Sequence, residues 1–428
     1  MKTHYKEKTL KEILKYRPKR LIRPLKVKPF YRFILKAATF PHLHNVNFTP
    51  TFEGFENYSK KDPILILMNH ASFIDIELGA VMFHPRPLNI VASNDAFLRK
   101  NWIMRRIGCI PTKRFVMDIN LVKNMLYCVK NLKSSVLLYP EAGYSIDGLN
   151  GVLPTSLGKM IKLLKIPVAV CLTEGAFHYQ PMYNHLHKHK IHVKAHAKIV
   201  FSKEDVNKLS IDEINDKLQE LFTIDYWKWQ KDNNFEFKED NYCEGLEKIL
   251  YKCPHCHKEL TTIVEGNKIK CTSCNTTYEM KRNGELVNLS GETLYNSVSS
   301  WVNYEREEVK KEINNGTYDV KFPVDVLVTF DSYKIFKLKN SNAYLEHNIN
   351  GITLTDDAND LSFHLFPIEL YNMYTEFDWF EVGDMVSIGN SEVLYDCILK
   401  NYDVSVLKLR MACQELYKIA IEKLRNSI

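Results

Sequence analysis

The sequence predicts an α/β domain with a mostly parallel sheet, followed by a cysteine-containing ribbon and a small α+β or β-barrel-like domain. Three observations lead to this prediction. Short apolar runs alternate with amphipathic segments over residues 49–240. Two C-x-x-C pairs follow, at 253–256 and 271–274. Many short strand-like runs then precede one long helical pattern, residues 405–424.

Length and composition are consistent with several soluble-type domains. At 428 residues the chain is too long for one ordinary core. We expect four parts: 1–48, 49–240, 246–290 and 291–428. The sequence contains no apolar run of about 18 residues, so no transmembrane helix is predicted, and its basic N-terminus has no signal-peptide core. The ten cysteines do not have the pattern of a disulfide scaffold, which favours a reducing, cytoplasmic setting.

Charge divides the chain into a basic and an acidic part. The net charge of +7 combines about +16 over residues 1–290 with about −9 over residues 291–428. The basic part requires an acidic partner. Thirteen Lys and Arg residues lie within the first 36 positions, where Leu10 and Ile13 fall at helical spacing. An aromatic and aliphatic patch follows, made of Phe30, Tyr31, Phe33, Ile34 and Leu35.

Basic residues interleaved with aromatic ones predict that the segment 1–48 lies on an anionic membrane surface, at the inner face of the membrane. A solvated basic arm beside a core helix is the alternative. Nucleic acid is disfavoured as a partner because no recognisable reading motif accompanies the charge.

The first predicted buried strand, residues 64–68, runs into Asn69 and His70, and Asp75 follows five positions after the histidine. A strand-end histidine with a nearby carboxylate is a candidate general base, whose tautomer the carboxylate can select. The alternative is a helix-capping histidine beside an ordinary surface aspartate.

Other predicted strands also end in polar residues. The segment G-C-I-P-T-K-R-F at 108–115 carries Lys113 and Arg114. The strand at 136–139 runs into P-E-A-G-Y-S-I-D-G, which contains Glu141, Gly143, Tyr144 and Ser145. Because sites gather at the ends of strands in parallel sheets, these side chains are expected to meet.

Four motifs in this order resemble the glycerolipid and lysophospholipid acyltransferase family, typified by 1-acyl-sn-glycerol-3-phosphate acyltransferase. N-H-A-S-F-I-D matches the family's histidine, four residues and aspartate, and residues 108–114 match its glycine, apolar run and arginine. Y-P-E-A-G-Y-S matches F-P-E-G-T-R-S, and I-P-V at 166–168 matches the fourth motif. The resemblance covers about residues 50–225.

The resemblance implies transfer of a fatty acyl group from acyl-CoA or acyl carrier protein to a glycerolipid hydroxyl. His70 would be the general base and Asp75 would orient it, with no acyl-enzyme intermediate. The acceptor would be held by residues of the first three motifs: Asn69, Lys113, Arg114, Glu141, Gly143, Tyr144 and Ser145. A non-catalytic lipid-binding or scaffold protein on the same fold remains an alternative.

The third motif departs from the family pattern. Gly143 and Tyr144 stand where threonine and arginine are expected. Since a guanidinium suits phosphate through its planar pair of donors, its loss weakens the case for a phosphate monoester acceptor. Either Lys113 and Arg114 suffice for phosphate, or the acceptor carries no phosphate monoester.

The two cysteine pairs predict a structural zinc ribbon over residues 246–290. Each C-x-x-C can form a knuckle, and the fourteen-residue spacing lets two knuckles share one tetrahedral Zn²⁺. The predicted ligands are Cys253, Cys256, Cys271 and Cys274. We expect His255 and His257 to be exposed rather than ligands. A nucleic-acid- or protein-binding role of the ribbon is a further alternative.

The C-terminal part is predicted to be β-rich and closed by a helix. A helical pattern over residues 294–313 precedes strand-like runs at 324–330, 334–338, 343–347, 351–355, 361–367, 379–382 and 393–399. The acidic charge of this part makes direct membrane contact unfavourable. Binding of a protein partner or docking against the basic part is expected.

Overall fold

The computed structural model describes residues 5–15, 23–97, 100–113, 119–149, 151–331, 334–379, 382–401 and 403–426. The regular elements up to residue 232 are β1 (Lys6–Lys8), α1 (Leu10–Leu14), α2 (Pro29–Asn45), β2 (Thr49–Glu53), β3 (Leu65–Met68), α3 (Asp75–Met82), β4 (Leu88–Ser93), α4 (Asn101–Arg106), β5 (Cys109–Thr112), α5 (Ile119–Tyr127), β6 (Ser135–Leu138), α6 (Ser156–Leu164), β7 (Val168–Glu174), α7 (Ala176–Tyr179), β8 (Lys194–Phe201), α8 (Lys203–Lys208), α9 (Ile211–Leu221) and α10 (Tyr226–Asp232).

A seven-stranded sheet in the order β2-β8-β7-β3-β6-β4-β5 forms the centre of this first part. Its strand pairs are parallel except for β7 with β8, which confirms the predicted mostly parallel sheet. Strand β3 is central and buried on both faces. Leu65 and Leu67 belong to one apolar core and Ile66 and Met68 to another, because successive side chains of a strand point to opposite faces.

The ribbon part contains β9 (Thr262–Glu265), β10 (Lys268–Cys271), β11 (Thr277–Met280) and β12 (Leu286–Asn288). These strands form one antiparallel sheet, which packs on the following helix, α11 (Val298–Asn314). The ring of Tyr278 meets the ring of Trp301 edge to face with centroids 5.0 Å apart. The Trp301 indole N–H donates to the Lys252 carbonyl at 2.9 Å. The ribbon is therefore packed into the core rather than tethered outside it.

The C-terminal part continues with β13 (Asp319–Asp331), β14 (Lys334–Leu338), β15 (Ala343–Asn348), β16 (Gly351–Asp356), β17 (Leu361–Leu365), β18 (Tyr374–Trp379), β19 (Gly383–Gly389), β20 (Leu394–Leu399) and α12 (Val406–Asn426). Its strands run in the order β17-β16-β15-β13-β20-β19-β18. Strand β14 also pairs with β13, and all pairings among β13 to β20 are antiparallel. The described pairings do not join β17 to β18, so the expected barrel-like closure is not confirmed.

The predicted strand at 379–382 falls partly outside the described residues. Trp379 is the last residue of β18, Val382 is in a turn that precedes β19, and residues 380 and 381 are not described. On either side of this gap the backbone has positive φ angles, 47° at Asp378 and 145° at Gly383, and the latter favours glycine.

The described residues of the predicted segment 1–48 contact two different parts of the protein, the C-terminal part and the α/β domain. Strand β1 pairs in parallel with β14 of the C-terminal sheet. In α1, Leu10 and Ile13 are buried, and the Leu10 N–H donates to the Asn359 side-chain oxygen at 3.3 Å. The expectation that these two apolar residues lie at a bilayer is therefore wrong, because the protein itself covers them. Helix α2, by contrast, packs on α3.

Candidate active site and cysteine cluster

His70 and Asp75 meet at the carboxyl end of β3, as their spacing predicts. The Nδ1 atom of His70 lies 3.0 Å from Asp75 Oδ2. The same oxygen accepts the N–H groups of Ala71 at 2.6 Å and Ser72 at 2.9 Å. Asp75 is fully buried at the first position of α3, where the helix dipole favours a carboxylate. These donors fix the carboxylate in place. With the proton on Nδ1 directed at Asp75, Nε2 is left able to accept a proton.

Two tyrosine rings cover the faces of the His70 imidazole. Tyr139 stacks with ring centroids 4.2 Å apart, and Tyr144 lies at 3.9 Å with an interplanar angle of 37°. The ring of Tyr144 also contacts the ring of Phe73, with centroids 4.8 Å apart. The His70 side chain keeps 15% of its surface exposed. The imidazole is therefore part of an aromatic cluster with Tyr139, Tyr144 and Phe73.

The third motif holds the backbone of His70. Glu141 Oε1 accepts the His70 N–H at 3.1 Å, and the Ser145 N–H donates to the His70 carbonyl at 2.8 Å. Glu141 Oε2 accepts the Gly151 N–H at 3.5 Å. Glu141 is buried, and this burial raises the pKa of its carboxyl to about 7. Glu141 and Ser145 thus hold the backbone of the histidine, and their predicted contact with the acceptor stays a prediction.

Ala142 stands where the family motif has a glycine, and its backbone conformation shows why glycine suits this position. Its φ is 55°, in the left-handed region that favours glycine. The turn that directs Glu141 towards His70 requires this conformation. Gly143, the next residue, is buried within the same turn.

Asn69 is buried beneath the site. Its Oδ1 accepts the Thr173 N–H at 2.7 Å, and its Nδ2 donates to the Tyr226 hydroxyl at 2.5 Å. These bonds join the ends of β3 and β7. Asn69 therefore braces the two strand ends, and its predicted contact with the substrate stays a prediction.

Of the two predicted cations, the structure describes only Lys113. Lys113 follows β5, and its ammonium donates to the Ser391 carbonyl of the C-terminal part. Arg114 lies outside the described residues. Sequence reasoning missed Arg410 of α12, whose guanidinium donates to the Tyr144 carbonyl at 2.9 Å. No sequence signal connects these two residues, because they are 266 positions apart.

The four predicted cysteine ligands form one cluster. The Sγ atoms of Cys253 and Cys274 are 3.7 Å apart, as are those of Cys256 and Cys271. All four sulfurs lie within 4.8 Å of one another. Tetrahedral coordination with Zn–S distances of about 2.3 Å places sulfurs about 3.8 Å apart. The cluster therefore fits a metal ion of that kind.

Two similar backbone loops produce this geometry. His257 and Asn275, which follow the second cysteine of each pair, both have a φ of 60°. Each donates its N–H at 2.9 Å to the carbonyl of the first cysteine of its pair. Both histidines of the first knuckle contact tyrosines instead of the cluster. His257 is exposed beside Tyr304, as predicted, whereas His255 is half-buried beside Tyr278.

Helix α2 presents aromatic side chains to solvent. Phe30, Phe33 and Phe40 are 65%, 70% and 62% exposed. Trp102 of α4 is 63% exposed and lies 6.4 Å from Tyr31, ring to ring. Within the described ranges, none of the helices has the length and apolar character needed to span a membrane.

Fold and site together define an α/β protein with a His–Asp pair, its carboxylate buried and its imidazole partly exposed, at the carboxyl edge of a mostly parallel sheet. Residues 49–172 match the model of the family described as Acyltransferase. The chain therefore carries an acyltransferase-family domain, in agreement with the resemblance of its motifs. The ribbon and the C-terminal part lie outside this match.

Comparison with solved structures finds the 1-acyl-sn-glycerophosphate (LPA) acyltransferase PlsC from Thermotoga maritima. The match has 20% sequence identity and a TM-score of 0.33, and it covers 44% of this chain and 79% of that one. No curated protein sequence matches this chain.

Proposed function

We propose that this protein is an O-acyltransferase that moves a fatty acyl group from a thioester, acyl-CoA or acyl carrier protein, to a hydroxyl of a lysophospholipid or related glycerolipid. The observation that carries the proposal is the 3.0 Å contact between His70 Nδ1 and Asp75 Oδ2 inside an acyltransferase-family domain. This contact leaves Nε2 as the proton acceptor.

The proposed reaction is a direct transfer. His70 Nε2 takes the proton of the acceptor hydroxyl as its oxygen attacks the thioester carbonyl. The new C–O bond forms, the C–S bond breaks, and the imidazolium returns its proton to the departing thiolate. Asp75 stabilises the imidazolium through its hydrogen bond to Nδ1.

The third motif bears on the choice of acceptor. Tyr144 places an uncharged ring beside His70, at the position where the family carries an arginine. We propose that the acceptor group bound at this side is not a phosphate monoester. Lys113 and Arg114 are the remaining candidates for contact with a phosphodiester.

The proposed location is an anionic membrane surface. The exposed aromatic side chains of α2 lie close in sequence to Lys28 and Lys36, which are also exposed, so one helix offers apolar groups for the interface and cations for lipid headgroups. The lipid acceptor would then reach the site without leaving the membrane.

The cysteine cluster is proposed to hold a structural Zn²⁺. Four thiolates complete a tetrahedral shell, so the ion would stabilise the ribbon and keep no open position for a reactant.

Release of free thiol by the purified protein tests the function. The assay supplies acyl-CoA or acyl carrier protein together with a panel of lyso-lipids that carry a phosphate monoester, a phosphodiester or no phosphate. Wild type is expected to turn over, and His70→Ala is expected to lose about 10²- to 10⁴-fold in rate. Equal rates for the two proteins, or no turnover with any pair, would favour the non-catalytic lipid-binding alternative.

A further inference from the structure

The C-terminal helix α12 inserts an arginine into the region of the candidate active site. Arg410 is only 5% exposed. Its guanidinium donates to the Tyr144 carbonyl at 2.9 Å. The ring of the same Tyr144 lies 3.9 Å from the His70 imidazole. One residue therefore connects the C-terminal part with the proposed general base.

The charges around Arg410 are those of the third motif. Its guanidinium interacts with the buried carboxylates of Glu141 and Asp147, and Arg306 is a cation near it. Burying an arginine is costly unless carboxylates and acceptors surround it. The site therefore contains an arginine at its third motif, although the motif itself has none.

Glu141 is the group through which this cation acts on His70. Its two oxygens accept the N–H groups of His70 and Gly151. The pKa of Glu141 is raised to about 7, chiefly by burial and to a lesser extent by Asp75, against the lowering effect of its backbone hydrogen bonds and of Arg410. Two buried tyrosines, Tyr226 and Tyr371, also face this carboxylate. Arg410 thus favours the ionised Glu141, which is the better acceptor for these N–H groups.

We propose that Arg410 is a positioning residue of the acyltransferase site, supplied by the C-terminal part, which holds the Tyr144 carbonyl and the Glu141 carboxylate that together set His70. This inference rests on the proposed function. It makes the C-terminal part a component of the active site and not only a module for partners.

Additional contacts keep α12 in position for this role. The Tyr417 hydroxyl lies 3.1 Å from the Thr155 hydroxyl, in the loop that follows the third motif. Lys408, two residues before Arg410, donates to Glu259 at 2.9 Å. Arg410 is thus flanked along α12 by anchors to the α/β domain and to the ribbon.

The test measures thiol release over a range of about pH 6 to 9 with full-length Arg410→Met, Arg410→Lys and Lys423→Met. Lys423 is an exposed residue near the end of the same helix and controls for loss of a positive charge. In Arg410→Met we expect kcat near neutral pH to fall at least about tenfold, with a smaller change in the KM for the acyl donor. The acid limb of its pH profile, where kcat falls as the pH decreases, should move to higher pH. The reason is that Glu141 without the Arg410 charge loses its proton at a higher pH.

Arg410→Lys keeps the charge and should leave the acid limb in place, while Lys423→Met should match wild type throughout. In a Glu141→Gln background, Arg410→Met should produce no shift of the limb. A variant that only disturbed packing would lose rate without moving the limb. Should Arg410→Met not fold, Arg410→Gln, which keeps donors but loses the charge, is measured in the same way.

Turnover by wild type combined with an unmoved acid limb in the uncharged variant would overturn this inference and leave the proposed function standing. Absence of turnover by wild type with every donor and acceptor would overturn the proposed function itself. The two failures are therefore distinguishable.

Discussion

The ring of Tyr144 lies 3.9 Å from the imidazole of His70, at the motif position where the acyltransferase family carries an arginine. The candidate base is therefore covered by an aromatic surface on the side where a phosphate-binding cation would be expected. With Phe73 next to it, this side chain gives the surroundings of His70 an aromatic, uncharged character on this side.

Tyr144→Arg is expected to shift acceptor preference towards phosphate monoesters. A charge-assisted hydrogen bond contributes about 1.5–3 kcal/mol, so the ratio of kcat/KM for a lyso-lipid with a phosphate monoester to that for one without should rise about 10- to 100-fold. Thiol release with the two acceptors measures the ratio. Tyr144→Phe keeps the ring and serves as the control. An unchanged ratio in Tyr144→Arg would show that this position does not contact the acceptor.

Asp75→Asn is expected to reduce kcat by about 10²- to 10⁴-fold with a folded protein. The amide can donate to Nδ1, which moves the imidazole proton to Nε2 and blocks the base. It also replaces a carboxylate that accepts two backbone N–H groups. Glu77→Gln, on the same helix and paired with His42, is the matched control. Equal loss in the two variants would contradict a specific role for Asp75.

The sequence predicted those features whose cause lies within a few residues. The strand that ends at His70, the turn of the third motif and the two cysteine knuckles are all of this kind. It did not predict features that depend on distant partners. Leu10 is covered by a sheet more than 300 residues later, and Asn69 bonds to Thr173 and Tyr226. Arg410 belongs to the same class, since its contact with Tyr144 joins residues 266 positions apart.

Removing one cysteine ligand is expected to weaken the whole C-terminal arrangement. Glu259 of the first knuckle bonds to Lys408 of α12 at 2.9 Å, and Trp301 bonds to Lys252, which precedes that knuckle. Because structural zinc contributes directly to folding, Cys256→Ser should lower the thermal midpoint by several degrees and reduce thiol release. Wild type should contain about one zinc per chain and the variant much less.

Ser273→Ala is the matched control for the cysteine variant, since Ser273 is an exposed residue inside the second knuckle and is not a ligand. It should keep both metal content and thermal midpoint. Wild-type protein with well below one metal ion per chain would contradict the metal site. An unchanged midpoint in Cys256→Ser would contradict its structural importance.

Helix α2 gives a prediction about membranes. Replacing Phe30, Phe33 and Phe40 together by serine removes three largely exposed rings from one helix. Inserting one such ring into the interface contributes up to about 1.5–3 kcal/mol, so binding to vesicles that contain anionic lipid should fall at least about tenfold. Sedimentation with vesicles measures binding. Because the described ring contacts of His70 are with Tyr139 and Tyr144 and not with these rings, turnover of a dispersed short-chain acceptor should change little.

Phe366 provides the control for the membrane experiment. It is 59% exposed but belongs to the acidic C-terminal part, so Phe366→Ser removes a comparable ring from a surface not expected to meet lipid. The basic residues of the segment 1–48 should contribute to vesicle binding together with the rings. Added salt should therefore weaken the binding of wild type to anionic vesicles. If the triple variant and Phe366→Ser bind equally well, α2 is not the membrane-contacting surface, and the lipid acceptor must reach His70 by another route.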